Sequence, residues 1–266
     1  MTPPMGRALT MHRGGSGDPL VLLHGLGLTW RCWAPVLGAL EALHDAIALD
    51  LPGFGDAPAL DDRAPTVGAL ADAVERELDG LGLETAHLAG NSLGGWIALE
   101  LARRGRARSV VALAPVGLEL PPERAYVISV SEAMRARAKA AAPFAGALAA
   151  NPVTRATLLG PMRARPWRVP ADDAAAEIRA FARAPGFQPT LRWTLAAQPA
   201  LGLGDISVPV RVCTGTRDVM LAPFTAPRFA AAIRGADLHR LPGCGHVPMA
   251  DDPASVAAAI VGLTGG

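Results

Sequence analysis

Short apolar runs alternate along this chain with longer stretches in which apolar residues recur every three or four positions. The runs lie at 20–23, 46–49, 86–89, 109–113 and 208–214, and the stretch 238–241 alternates apolar and polar residues like a strand. Short apolar runs between turn residues are typical of buried strands, and the longer period is typical of helices that pack on a sheet. The alternation therefore predicts an α/β fold, a mainly parallel sheet flanked by helices.

One helix is especially clear, and it begins after Thr66, a residue type that caps helices well. Its apolar stripe consists of Val67, Leu70, Val74, Leu78 and Leu81. A second helix is predicted after Asp252-Pro253. Both apolar stripes are expected to pack on the sheet.

The alternation stops between Glu119 and about Gly204, where no strand pattern occurs. Short Ala- and Arg-rich helical runs are interrupted there by Pro143, Pro152, Pro161, Pro166, Pro170, Pro185, Pro189 and Pro199. Because this stretch separates two predicted strands, we expect a helical cap (119–203) inserted into a core made of 1–118 and 204–266. The cap would lie over the strand ends.

Composition narrows the class of protein. The chain has 266 residues, half of them hydrophobic, and a net charge of +1, which gives no indication of nucleic-acid binding or of a polybasic membrane anchor. Three cysteines without metal-ligand spacing make disulfides and zinc unexpected. No signal-like start and no long apolar run is present. We therefore expect a cytoplasmic protein that acts on a small molecule without membrane or nucleic-acid partners, in an oligomeric state that the sequence does not indicate.

Candidate chemistry starts at Gly90-Asn91-Ser92-Leu93-Gly94, which matches G-x-S-x-G between a predicted strand and a predicted helix. Glycines two residues on either side permit the sharp turn that exposes a nucleophilic serine, and the Leu93 amide at the helix start is free to bind an oxyanion. Ser92 could instead only cap the helix. Its neighbours in the sequence decide between the two.

A serine nucleophile needs a base and an orienting acid, here in the order serine, acid, histidine. Asp218 follows a predicted strand, and His246 lies in a glycine-rich loop after the next one. Glu119 is the alternative acid. A second oxyanion donor is expected from the Leu26 amide, in the turn His24-Gly25-Leu26-Gly27, where His24 would organise the loop through hydrogen bonds to backbone.

With these motifs in place, the chain resembles the α/β-hydrolase family, specifically small esterase-like serine hydrolases with a helical cap. The resemblance spans about residues 18 to 262 and rests on Leu23–Gly27, Asp50–Gly55, Gly90–Gly95 and Gly245–Pro248 with Asp252-Pro253. It implies Ser92 as nucleophile, Asp218 as acid, His246 as base, and Leu26 and Leu93 as oxyanion donors. One departure is Asp56-Ala57-Pro58, where many relatives have a serine.

The expected reaction is hydrolysis of a small or medium carboxylic ester through an acyl-enzyme, without metal or other cofactor. Serine at the elbow argues against relatives that open epoxides with a carboxylate, and so does the single tyrosine, Tyr126. One alternative is hydrolysis of a carbon-carbon bond in a dienoic or β-diketone acid. Relatives with that activity commonly have a tryptophan immediately after the histidine, whereas this chain has Val247, which argues against it. The other alternative is a protein that binds a ligand without turnover.

Aromatic residues suggest where a substrate would bind. Trp30 follows the predicted oxyanion loop, although helical spacing with Trp33 also suits a core position. Trp167 and Trp193 lie in the predicted cap. We predict that Trp30, Trp167 and Trp193 line the substrate pocket. Between 119 and 200, eleven basic and six acidic residues also make the predicted cap cationic, which could favour acidic substrates.

Overall fold

The computed structural model describes residues 9–60, 63–196, 200 and 202–265. Its sheet has the strand order β1-β3-β2-β4-β5-β6-β7. The strands are β1 (Met11–Gly14), β2 (Asp18–Leu23), β3 (His44–Leu49), β4 (Ala86–Asn91), β5 (Ala107–Leu113), β6 (Val210–Gly215) and β7 (Asp237–Leu241). All neighbours are parallel except β1 and β3. The mainly parallel α/β sheet predicted from the sequence is confirmed.

The first strand was not predicted; it pairs antiparallel with β3 from Met11↔Leu49 to Gly14↔Ala46. Its four residues, Met-His-Arg-Gly, show no apolar alternation, and they are only partly buried because β1 is an edge strand. An edge strand has a neighbouring strand on one side only and is less buried, so it does not need the continuous apolar run of the central strands. Backbone pairing with β3 defines it instead.

Helices lie between the strands in the described part of the chain. They are α1 (Ala34–Glu41), α2 (Val67–Gly80), α3 (Leu93–Arg103), α4 (Pro121–Ala141), α5 (Ala145–Ala150), α6 (Pro152–Leu159), α7 (Ala171–Arg183), α8 (Phe187–Ala196), α9 (Thr225–Ala232) and α10 (Pro253–Thr264). Short 3-10 turns cover Trp30–Trp33, Ala142–Phe144, Pro166–Arg168, Leu203–Asp205 and Pro248–Ala250. No helix of the described residues has the length and apolar character needed to cross a membrane.

The helix predicted after Thr66 is confirmed as α2. The Thr66 hydroxyl accepts a hydrogen bond from the Ala69 N–H at 3.0 Å, which satisfies one of the free amides of the first turn. The stripe residues Val67, Leu70, Val74 and Leu78 are buried, as predicted. Burying side chains of this size stabilises the fold by about 1.5–3 kcal/mol each.

Five helices, α4 to α8, lie between β5 and β6, where the cap was predicted; we call them the inserted helices. Two details differ from the sequence analysis. α4 is 21 residues long, so this stretch is not composed only of short runs. Pro189 lies inside α8 and does not interrupt it, because proline is tolerated in a first turn, whose N–H groups have no intrahelical partner. Pro199 lies outside the described residues.

The parallel strands bring distant parts of the sequence to one edge of the sheet. β2 and β4 end side by side at Leu23↔Gly90, and β6 and β7 at Gly215↔Leu241. The loops that follow these strands carry the predicted oxyanion turn, the serine, the acid and the histidine. In open α/β sheets this carboxyl edge is where ligands bind.

Candidate active site

Ser92 lies on the sharp turn between β4 and α3 with φ +56°, a conformation that non-glycine residues rarely adopt. Its side chain makes no capping bond to α3. A Cβ on Gly90 would lie 2.1 Å from the Gly94 carbonyl oxygen, and one on Gly94 would lie 2.2 Å from the Leu23 carbonyl oxygen. Both glycines are therefore steric requirements of the turn. Backbone strain of this kind clusters at functional sites.

His246 and Asp218 are directly hydrogen-bonded. His246 Nδ1 lies 2.9 Å from Asp218 Oδ2, and the two side chains are 7% and 4% exposed. The other carboxylate oxygen, Oδ1, accepts hydrogen bonds from the Met220 and Leu221 amides at 2.8 and 3.0 Å. Burial disfavours the charged carboxylate, but the attraction of His246 and these hydrogen bonds outweigh burial and lower the pKa of Asp218. The acid is thus kept ionised beside the imidazole.

Glu119, the alternative acid, lies elsewhere. Its carboxylate accepts from the Gly117 amide at 2.9 Å, and burial raises the pKa of the Glu119 carboxyl. The structure therefore places Asp218, and not Glu119, at the histidine.

The loop after β2 forms a tight turn closed by a hydrogen bond from the Leu28 N–H to the Gly25 carbonyl at 3.1 Å. Gly27 has φ +80°, which favours glycine at the third position of such a turn. The Leu26 amide, at the second position, does not close the turn. Leu93 is the first residue of α3, so its amide has no intrahelical acceptor. Both predicted oxyanion donors thus lie in backbone settings that leave their N–H groups available.

His24 fixes this turn from inside the protein. Its Nε2 accepts from the Leu51 N–H at 2.9 Å, so Nδ1 carries the proton and donates to the Gly25 carbonyl at 2.7 Å. Burial lowers the pKa of His24 to about 4. A neutral imidazole with both nitrogens engaged cannot exchange protons with a substrate at neutral pH. Its part is to orient the turn.

Two residues that the sequence analysis did not single out hold the histidine loop. Asn91 Nδ2 donates to the carbonyl oxygens of His246, at 2.9 Å, and Leu113, at 3.1 Å, which ties the serine turn to the histidine loop. Asp251 is fully buried, and its carboxylate accepts from the Gly245 amide at 2.8 Å and the Ala164 amide at 2.9 Å. The signal for Asn91 was its place inside the elbow motif. Asp251 had only its place just after the histidine.

Ser92 and His246 line one cavity of about 60 Å³ between the sheet edge and the inserted helices. Leu26, Asn91 and Leu93 also line it. Its walls are largely apolar: Leu28, Val116, Val127, Met134, Met162, Phe181, Phe187, Leu191, Met220 and Val247. Three hydroxyl side chains of the inserted helices complete the lining: Ser131, Thr190 and Thr194. Catalytic and substrate-binding chemistry therefore share a small, apolar space.

None of the three predicted pocket tryptophans is among the residues that line this cavity. Trp30 stacks on His12, with ring centroids 5.1 Å apart, and lines a separate cleft of about 990 Å³ beside α7. Trp193 packs on Trp96 at 5.4 Å, and Trp167 is 54% exposed on a 3-10 turn. The inserted helices present aliphatic, phenylalanine and hydroxyl side chains to this cavity, and tertiary packing decides which face they present.

No cluster of three or more histidine, cysteine, aspartate or glutamate side chains that could hold a metal ion occurs among the described residues. The three cysteines are buried and free. Cys244, two residues before His246, is fully buried, and burial raises the pKa of its thiol to about 11. It is a packed thiol, not a nucleophile at neutral pH.

The fold and this site define a class of protein. Residues 20–259 match the model of the alpha/beta hydrolase family, and the chain belongs to that family. The resemblance seen in the sequence motifs is thereby confirmed.

Individual relatives differ in their chemistry. The chain is 38% identical to an epoxide hydrolase, EphH, of Mycobacterium tuberculosis over 70% of this chain and 89% of the relative. It is 30% identical to a pimeloyl-[acyl-carrier protein] methyl ester esterase of Aromatoleum aromaticum over 91% of this chain and 96% of that relative. A solved esterase of Thermogutta terrifontis has a similar fold, with a TM-score of 0.74 at 23% identity, over 95% of this chain and 91% of that one. Hydrolytic activity is common to these relatives.

Proposed function

We propose that this protein hydrolyses small or medium carboxylic esters through an acyl-enzyme on Ser92, with His246 as base and Asp218 as the acid that orients it. The observation that carries the proposal is the strained Ser92 turn facing the same cavity as a histidine that is bonded to a buried carboxylate. This combination is what nucleophilic acyl transfer requires. The reaction needs no cofactor.

The proposed reaction has two steps of the same kind. His246 takes the Ser92 proton as the oxygen attacks the carbonyl carbon, and then gives that proton to the departing alcohol. Water attacks the acyl-enzyme in the second step, again with His246 as base, and releases the carboxylic acid. The Leu26 and Leu93 amides bind the oxyanion of each tetrahedral intermediate, a type of interaction worth about 100- to 1,000-fold in turnover per donor.

The cavity favours a short acyl group. The cavity beside Ser92 is small, about 60 Å³, compared with the cleft of about 990 Å³ beside α7. Its walls consist mainly of aliphatic and phenylalanine side chains, which favour alkyl chains. We propose further that 119–203 acts as a cap, because the inserted helices supply half of these apolar wall residues and all three hydroxyl side chains. We also propose that the protein works in the cytoplasm on a small-molecule substrate.

The similarity to an epoxide hydrolase does not alter this proposal. Attack of a serine hydroxyl on an epoxide would give an ether, which has no carbonyl for water to attack, whereas a carboxylate nucleophile gives an ester. Tyr126 does not line the cavity; it is 51% exposed and donates to the Val219 carbonyl at 2.9 Å. The site therefore offers neither a carboxylate in the nucleophile position nor a tyrosine to polarise an epoxide.

The test is labelling and turnover on one protein preparation. A fluorophosphonate should label wild type and not Ser92→Ala, and short p-nitrophenyl esters should be hydrolysed by wild type only. A strong preference for ring-cleavage dienoates over these esters would favour carbon-carbon bond hydrolysis. Absence of labelling in folded wild type would favour a binding protein without turnover.

A further inference from the structure

Two lining residues of the catalytic cavity have buried polar atoms without a hydrogen-bond partner among the described residues. They are Thr190 Oγ1 on α8 and Asn91 Oδ1 on β4. Asn91 already uses its amide group to join two loops. Thr190 is only 1% exposed, and its hydroxyl has no comparable part in the fold.

The absence of a partner is unusual for a threonine in this position. A helical threonine commonly donates to the carbonyl four residues earlier. Thr194, one turn along α8, does so, with its hydroxyl 2.9 Å from the Thr190 carbonyl, and Ser131 on α4 donates to the Val127 carbonyl at 2.7 Å. Of the three hydroxyls of the inserted helices that line the cavity, only that of Thr190 has an uncommitted proton.

The surroundings of Thr190 favour an oxygen acceptor in the ligand. Arg135 places its guanidinium carbon 4.7 Å from the ring centroid of Phe187, a lining residue one turn before Thr190. Arg135 is buried, donates to the carbonyls of Phe181 and Ala184, and forms no ion pair with any described carboxylate. A positive charge beside a ring that lines the cavity favours an electron-rich atom in the ligand over a second hydrogen-bond donor.

We propose that Thr190 forms a polar subsite in the acyl cavity, where its hydroxyl donates a hydrogen bond to an ether, keto or carboxylate oxygen of the acyl group. This inference rests on the proposed function and narrows its substrate class from plain alkyl esters to short acyl groups with an internal oxygen. The remaining walls surround the hydrocarbon part. Thr190 is thus a specificity-determining residue.

The experiment uses pairs of p-nitrophenyl esters that differ by one atom. Methoxyacetate is compared with butanoate, and 3-methoxypropanoate with pentanoate, so that an ether oxygen replaces a methylene group at constant length. The quantity measured is the ratio of kcat/KM for the oxygen ester to that for the alkyl ester. Comparing this ratio between variants cancels the different intrinsic reactivity of the two esters.

Thr190→Val removes the hydroxyl at nearly constant shape and should lower the ratio by about fivefold to tenfold for at least one pair, the value of one hydrogen bond. Thr190→Ser should retain the ratio. The control is Thr225→Val on α9, because Thr225 Oγ1 is also buried and unpartnered but lies outside the cavity lining. Unchanged ratios in Thr190→Val, or an equal fall in Thr225→Val, would overturn the proposal.

A binding measurement keeps this test separate from the proposed function. Ligand-observed NMR titrations with methoxyacetamide and butanamide are made on Ser92→Ala and on Ser92→Ala with Thr190→Val. We expect the second variant to bind methoxyacetamide about fivefold more weakly and to bind butanamide with unchanged affinity. Equal effects on both amides, or no binding of methoxyacetamide to Ser92→Ala, would overturn the subsite. Failure of wild type to hydrolyse any ester would overturn only the proposed esterase activity.

Discussion

The Asp251 carboxylate accepts a hydrogen bond at 2.8 Å from the backbone N–H of Gly245, the residue immediately before His246. The same carboxylate accepts from the Ala164 amide at 2.9 Å and the Arg165 amide at 2.6 Å. Both of these residues belong to the insert between β5 and β6. The position of the histidine loop is therefore joined to the insert through one buried side chain.

Replacing Asp251 by asparagine should weaken both the fold and catalysis. Asparagine turns one acceptor oxygen into a donor, which leaves a buried N–H unpaired, so we expect a loss of about 2–4 kcal/mol in the free energy of unfolding. Displacement of His246 should lower kcat by about 10- to 100-fold. Urea denaturation and ester kinetics measure the two effects.

The matched control for that variant is Asp252→Asn. Asp252 caps α10 by accepting from the Ser255 N–H at 3.1 Å, and asparagine caps helices about as well. We expect a change within about 0.5 kcal/mol. Equal behaviour of the two variants would refute the part assigned to Asp251.

Gly27→Ala should damage the oxyanion turn. An alanine Cβ would lie 2.4 Å from the ring of Phe181, and the positive φ of +80° adds strain of about 1–2 kcal/mol. Because the Leu26 amide is in the same turn, kcat should fall by about 100-fold or more. Gly82→Ala has a similar φ of +72° with no atom near its Cβ, and should carry the strain with normal kinetics. If Gly82→Ala also lost its activity, backbone strain alone would explain the lower kcat of Gly27→Ala, and the oxyanion turn would not be needed to explain it.

His24 predicts a specific dependence of stability on pH. Its pKa is about 4 in the folded protein, because of burial, and about 6.5 in an unfolded chain. The unfolded state therefore binds the proton more readily, so the stabilisation is complete above about pH 6.5 and is lost as the pH falls toward 4. Between pH 7 and pH 5 the expected loss from this group is about 2 kcal/mol.

The measurement is the difference between wild type and His24→Gln in urea denaturation at pH 7 and pH 5. Other titrating groups contribute equally to both proteins, so the difference isolates His24. Wild type should lose about 2 kcal/mol more than the variant over this interval. Parallel losses in the two proteins would show that His24 is not held neutral.

Much of this molecule could be predicted from its sequence because the responsible signals are local. The elbow glycines surround Ser92 within five residues, and Asp218 and His246 each lie in the loop that follows a predicted strand. Parallel strands then bring their carboxyl ends together, so the approximate meeting place follows from the topology alone. The central strands were equally clear because they are buried on both faces.

The remaining features depend on contacts between distant segments. Thr190 lines the cavity and the three predicted tryptophans do not, because of how α4, α7 and α8 pack together. The apolar stripe of α7 indicates which of its faces is buried, but not which segment that face contacts. Asn91 and Asp251 form hydrogen bonds with backbone groups of other segments, and any residue type can supply such groups, so no sequence pattern predicts these contacts. The edge strand β1 is defined by pairing with β3 and not by its own side chains.

Covalent chemistry at Ser92 is the central step of the proposed reaction. The direct measurement is rapid acid quenching of wild type during turnover of p-nitrophenyl butanoate, followed by mass mapping of the peptides. We predict a butanoyl group on the peptide that contains Ser92 and its absence in Ser92→Ala. A butanoyl group on a different residue, or full ester hydrolysis by Ser92→Ala, would contradict the account.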